Sequence, residues 1–140
     1  GSKRYAGASQ SPLVDGDARC PLWGVHEAFA RPGEVVADLV ELEDGSRWFT
    51  QSRNVAAPGA TGGGTPARFA VCVGVDAKVA APLIAARGMD LMRSAATPIG
   101  LGCRRCTRTG CVQRSAPPIG RPLRFREGER GVSAFDFAGD

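Results

Sequence analysis

Glu34-Val35-Val36-Ala37-Asp38-Leu39-Val40-Glu41-Leu42-Glu43-Asp44-Gly45-Ser46-Arg47-Trp48-Phe49-Thr50-Gln51-Ser52-Arg53-Asn54-Val55 is the stretch that decides the fold. Side chains of a strand point alternately to its two faces. The first half therefore sorts into Val35, Ala37, Leu39 and Glu41 on one face and Val36, Asp38, Val40 and Leu42 on the other. Glu43-Asp44-Gly45-Ser46 is a turn, because Asp-Gly supplies the positive φ that tight hairpins need. Residues 47–55 are the aromatic-bearing return strand. Trp48 and Phe49 must point to opposite faces, so one belongs to the core and the other faces away from it.

Working outward, Leu22, Val25, His26 and Phe29 recur at helical spacing. They predict a helix from residue 17 or 18 to residue 31, stopped by Pro32-Gly33. Residues 56–66 carry four glycines and two prolines and read as a loop, without the Lys-Ser/Thr of a P-loop. Residues 67–75 are largely apolar and predict a third strand in a central position. Asp76 suits an N-cap, followed by a small-residue helix over 77–86 that Pro82 kinks and Gly88 ends. Residues 90–102 lead into a cysteine loop, and 112–140 are extended and Pro-rich. The class is α+β: a small antiparallel sheet with flanking helices, capped by a Cys-rich metal or cluster loop. Residues 1–17 read as a tag scar (Gly1-Ser2) and flexible arm, 18–125 as the domain, and 126–140 as a C-terminal tail.

The 140 residues suffice for one domain with a real core, and 43% are hydrophobic. No apolar run is long enough to span a bilayer and no secretory signal is visible, which points to the cytoplasm. A net charge of +4 is too mild for a dedicated nucleic-acid domain. Five cysteines in such a chain favour metal or redox chemistry over a disulfide framework. Three of them stand in Cys103-Arg104-Arg105-Cys106-Thr107-Arg108-Thr109-Gly110-Cys111. This spacing lets one loop supply several sulfurs to zinc or to an iron–sulfur cluster, and the residues alone leave the two open. Arg104, Arg105, Arg108 and Arg114 offset the charge of several thiolates. A fourth ligand comes from Cys20 or Cys72. Cys20 is favoured, because Cys72 lies in an apolar strand where a free thiol packs as a small hydrophobe.

The chain resembles the C-terminal effector domain of short-chain fatty acyl transcriptional regulators, the actinobacterial family of propionate and glyoxylate regulators. The resemblance is carried by Arg19-Cys20-Pro21-Leu22-Trp23, His26-Glu27-Ala28-Phe29, Pro32-Gly33, Asp44-Gly45, Trp48-Phe49, Arg53, Phe69-Ala70-Val71 and Gly74. Its most specific part is Pro98-Ile99-Gly100, Cys103-Arg104-Arg105-Cys106, Arg108, Cys111, Gln113-Arg114 and Pro117-Pro118. Two positions depart from the family pattern, Val75 where a Cys is common and Ala85 where an aromatic is common. The resemblance implies a ligand-sensing domain that binds CoA or short-chain acyl-CoA and a [4Fe-4S] cluster. It also implies control of homo-oligomer assembly, and DNA contact only through an N-terminal domain outside this chain.

His26, Phe49, Arg53 and Lys78 are the candidate acyl-CoA contacts, and Cys20, Cys103, Cys106 and Cys111 the candidate cluster ligands. No Ser-His-Asp set or HExxH is present, so no enzyme is expected. The alternative from another class is a zinc-binding nucleic-acid-interaction domain, for which the arginine-rich cysteine loop is the motive.

Overall fold

The alternation over residues 34–55 folds as a hairpin. The computed structural model describes residues 12–15, 20–56, 67–124, 127–128 and 137. Strand β1 (Val35–Glu41) pairs antiparallel with β2 (Arg47–Ala56), with Leu39 opposite Phe49 and Val40 opposite Trp48. Gly45 turns the chain between them at φ 79°, a conformation a side chain would strain. β2 pairs antiparallel with β3 (Arg68–Asp76), and a two-residue β4 (Thr97–Pro98) completes a four-stranded sheet ordered β3-β2-β1-β4. The predicted loop over 56–66 lies almost wholly outside the described residues, which stop at 56 and resume at 67.

The third strand is therefore an edge strand, not a central one. Its apolar run predicts cover on both sides. Instead Phe69, Val71 and Val73 are 54%, 50% and 68% exposed. The central position belongs to β2, whose Trp48, Phe49, Thr50 and Ser52 are buried.

The helices are shorter than their periodicity suggests. Helix α1 (Pro12–Asp15) lies in the segment read as a flexible arm, and its Leu13 is buried. Helix α2 spans only Gly24–Glu27, continued by a turn in which Ala30 N–H donates to Glu27 O. Pro21 disfavours helical backbone before it, and Trp23 is extended at ψ 126°. The predicted start of this helix at residue 17 or 18 lies outside the described residues. The face that packs is also different. Gly24 and Ala28 are buried, while His26 and Phe29 are exposed. A Cβ on Gly24 would sit 3.6 Å from Val36 and 3.7 Å from Asp38, so small residues allow the close approach of α2 to β1.

The small-residue helix over 77–86 is two 3-10 turns, Ala77–Val79 and Ile84–Ala86, with Pro82 between them. Asp76 does cap the first, accepting from Lys78 N–H at 2.9 Å. These turns cover one face of the sheet: Leu39, Phe49, Ala77, Ala80, Ala86 and Leu91 form a buried cluster. Burying a Leu or Phe side chain contributes about 1.5–3 kcal/mol, so Leu39 and Phe49, each 2% exposed, anchor it.

The chain divides into two compact units. The sheet unit comprises Trp23–Glu41 and Gly45–Thr97. The other comprises Gly1–Leu22, Leu42–Asp44 and Pro98–Asp140, and it contains the cysteine loop. Among the described residues no helix is long and apolar enough to cross a membrane.

Candidate functional site

Cys20, Cys103, Cys106 and Cys111 all fall in the second unit, whereas Cys72 falls in the sheet unit. Cys20, Cys103 and Cys106 are buried and Cys111 is half-buried. One helical turn presents the first two loop sulfurs, with Arg105 N–H and Cys106 N–H both donating to Gly102 O at 2.9 Å. Gly100 separates two of the sulfurs. Its N–H donates to Cys20 Sγ at 3.5 Å, and a Cβ added to it would stand 2.6 Å from Cys106 Sγ. No residue with a side chain fits there without moving Cys106. Cys103 Sγ accepts from Ser115 twice, from the backbone N–H at 3.4 Å and from the hydroxyl at 3.3 Å.

Arg114 organises the loop from within. It is 6% exposed, and its guanidinium donates to the carbonyl oxygens of Cys103 (3.4 Å), Cys106 (3.2 Å) and Arg108. Its charge lies 4.7 Å from the centre of the Phe137 ring. Among the described residues no carboxylate pairs with it. A buried cation calls for a nearby anion. The carbonyls it embraces belong to Cys103, Cys106 and Arg108.

The thiols are not equivalent. Burial alone would raise Cys103. Hydrogen bonds from the Ser115 hydroxyl and N–H and from Ala116 N–H, together with the Arg114 charge, outweigh it and hold the thiol below its usual range. Burial raises Cys106, and the charges of Glu43 and Cys20 add to it against Arg108 N–H and Arg114. Donor chemistry thus fits a thiophilic group: soft sulfurs, N–H···S hydrogen bonds and a buried cation. The sulfurs are gathered but not closed on a point. Among the described residues no three His, Cys, Asp or Glu side chains are drawn together as for a metal ion.

The four candidate acyl-CoA contacts all lie in the sheet unit, with Lys78 and Phe49 sharing neighbours and Arg53 and His26 elsewhere. Lys78 lines a shallow cavity of about 450 Å³ with Ala77, Ala81, Met89, Asp90, Leu91 and Met92. Phe49 is buried in the cluster that includes Ala77 and Leu91. Arg53 is exposed on β2, four residues or about 13 Å along the strand from Phe49. His26 is exposed on α2. Trp48, the other aromatic of the pair, is 6% exposed, with Nε1–H donating to Ser46 Oγ at 3.3 Å. Neither aromatic presents an open stacking face.

Sequence reasoning passed over Glu43, Thr107 and Ser115. Ser115 carries no signal of its own, and Glu43 was read only as part of a turn.

A model of the family described as short-chain fatty acyl coenzyme A regulator, C-terminal, matches residues 1–135. The propionyl-CoA carboxylase regulator of Cereibacter sphaeroides is 38% identical over 117 residues, covering 84% of this chain and 25% of that protein. The HTH-type transcriptional regulator RamB of Mycobacterium tuberculosis is 38% identical over 119 residues, 83% of this chain and 25% of RamB. PrpR of the same organism is 40% identical over 102 residues, 72% of this chain and 21% of PrpR. A solved Mycobacterium tuberculosis transcriptional regulator superposes with a TM-score of 0.75 at 36% identity, covering 84% of this chain and 36% of that one. The chain spans about a quarter of the length of these curated relatives.

Proposed function

The chain belongs to the family of C-terminal domains of short-chain fatty acyl coenzyme A regulators, and from that membership we propose that it is the sensing part of a transcriptional regulator of short-chain fatty acid metabolism. It reads CoA or short-chain acyl-CoA, carries a [4Fe-4S] cluster, and acts through assembly of a homo-oligomer. DNA is contacted by another region of the regulator.

The observation that carries the cluster is Arg114, a buried guanidinium that wraps the carbonyls of Cys103 and Cys106 without a carboxylate partner among the described residues. Cys103, Cys106 and Cys111 would hold the cluster from the loop, with Cys20 as the fourth ligand. Cys20 shares their unit and borders Gly100 with Cys106, whereas Cys72 belongs to the sheet unit. When bound, such a cluster supplies a one-electron couple and a covalent tie across the loop. Ser115 holds Cys103 Sγ with two donors, which favours its thiolate.

On the sheet unit, the cavity beside Lys78 is the place we assign to an acyl chain. Met89, Leu91 and Met92 give it an apolar lining and Lys78 a cation for an anionic head. Arg53 and His26 stand apart from it, so they would meet at most other parts of the ligand.

Anaerobic purification followed by iron and sulfide analysis tests the cluster. About four irons and four sulfides per chain are expected, and stoichiometric zinc without iron would turn the reading to the zinc alternative. Calorimetry with acetyl-, propionyl- and butyryl-CoA tests the sensor. Binding weakened by Lys78→Ala is expected, and no heat with any of the three from folded protein overturns it.

A further inference from the structure

Cys72 lies outside the unit that holds the four candidate cluster ligands, and it stands in a built polar environment. It lies on β3 directly opposite Ser52 of β2. Ser52 is 1% exposed and its Oγ has no hydrogen-bond partner. Trp23, just before α2, is 8% exposed and its Nε1–H is likewise without a partner. Both side chains reach toward Cys72 Sγ closely enough to favour its ionised form, though neither makes a hydrogen bond of good geometry with the thiol. Asn54, next on the same face of β2, has a third buried donor without an acceptor, Nδ2.

Indole N–H and amide NH₂ only donate, and a hydroxyl donates readily. Trp23 Nε1–H thus lacks an acceptor, and Ser52 Oγ, which can donate or accept, is left unpartnered beside it. The resting sulfur does not provide an acceptor. Burial holds the thiol above its usual range, Asp38 adding to that, so Cys72 rests as a neutral thiol, which accepts weakly. An oxygen atom carried on the sulfur would present lone pairs to Ser52 and Trp23. β3 is an edge strand and Cys72 is half-buried, so a small oxidant can reach it.

We propose that Cys72 is a thiol-oxidation site, at which a hydroperoxide forms a sulfenic acid whose oxygen is received by Ser52 and Trp23. The Cys72 thiolate attacks the distal oxygen of the hydroperoxide. An S–O bond forms as the O–O bond breaks, and the alkoxide or hydroxide leaves with the proton that the thiol gave up. Sulfur loses two electrons and the peroxide gains them. Thiolate is scarce at neutral pH, so the step is slow and needs hydroperoxide in excess. The other four cysteines belong to the second unit. The site does not depend on the cluster or on acyl-CoA.

Tryptic cleavage after Arg68 and Lys78 isolates Phe69–Lys78, in which Cys72 is the sole cysteine. The full chain is treated with excess hydrogen peroxide, trapped with dimedone at timed intervals, digested and weighed. A dimedone adduct on that peptide is expected, trappable for several-fold longer in wild type than in Ser52→Ala. Trp23→Phe gives the same comparison should Ser52→Ala fail to fold. A shift of tryptophan emission on peroxide treatment, absent in Cys72→Ala, is expected as well. No adduct on this peptide while the other cysteines react overturns the proposal. An adduct equally long-lived in the folded Ser52 and Trp23 variants also overturns it, and assigns the donors to an ordered water.

Discussion

The carboxylate of Glu43 accepts two hydrogen bonds from Thr107, one from its N–H at 2.8 Å and one from its hydroxyl at 2.9 Å. A residue of the β1–β2 turn thereby fixes the backbone immediately after Cys106. Each such bond contributes about 0.5–1.5 kcal/mol, so Glu43→Ala is expected to lower stability by about 1–2 kcal/mol. Glu43→Gln keeps an acceptor and is expected to lose less. Hydrogen exchange at the Thr107 amide checks this: faster exchange in the alanine variant than in the glutamine variant is the required order.

Gly100 has no room for a methyl group, since a Cβ would meet Cys106 Sγ at 2.6 Å and Cys106 Cβ at 2.7 Å. Gly100→Ala is therefore expected to destabilise by about 1–3 kcal/mol through overpacking. It should also displace the Cys106 sulfur, so iron retention after anaerobic purification should fall. Retention and unfolding midpoint both equal to wild type would contradict the packing.

Arg114→Lys separates charge from geometry. Lysine keeps the cation but cannot fork to the carbonyls of Cys103, Cys106 and Arg108 together. Both Arg114→Lys and Arg114→Met are expected to lose about 2–4 kcal/mol in denaturant titrations. Full rescue by lysine would show that charge alone matters.

Asp38 gives a pH dependence. Burial pushes its carboxyl above the usual range, against the hydrogen bond from Thr97 and the Leu39 N–H. The folded state then binds this proton more tightly than the unfolded chain does. Stability is lost as pH rises from the unfolded value through the folded one, and the whole deficit is present at neutral pH. Asp38→Asn retains an acceptor for Thr97 Oγ1, which donates to Oδ1 at 3.1 Å. It should melt above wild type at pH 7, with the gap closing below about pH 4. A gap that does not change with pH would refute the assignment.

The hairpin was legible because two independent signals agreed, period-two alternation and Asp44-Gly45, and both strands fall within a residue or two of the reading. The family was legible too, since the Cys-Arg-Arg-Cys loop and its flanking motifs are specific. Helix α2 departs from its periodicity because large apolar residues do not mark its packed face. Gly24 and Ala28 pack instead, their lack of bulk being what lets α2 come close. β3 misled because an apolar run looks the same whether or not something covers it. The support of the cysteine loop was illegible for a topological reason: Glu43 and Thr107 are 64 residues apart, and nothing local pairs them.

β3 also bears on how the isolated chain behaves in the tube. A nine-residue edge strand bearing bare Phe69, Val71 and Val73 is a template for another copy of itself. Pairing of copies along that edge is expected to raise the molecular mass read by light scattering. Placing a lysine at Val73, which is 68% exposed, is expected to lower that mass.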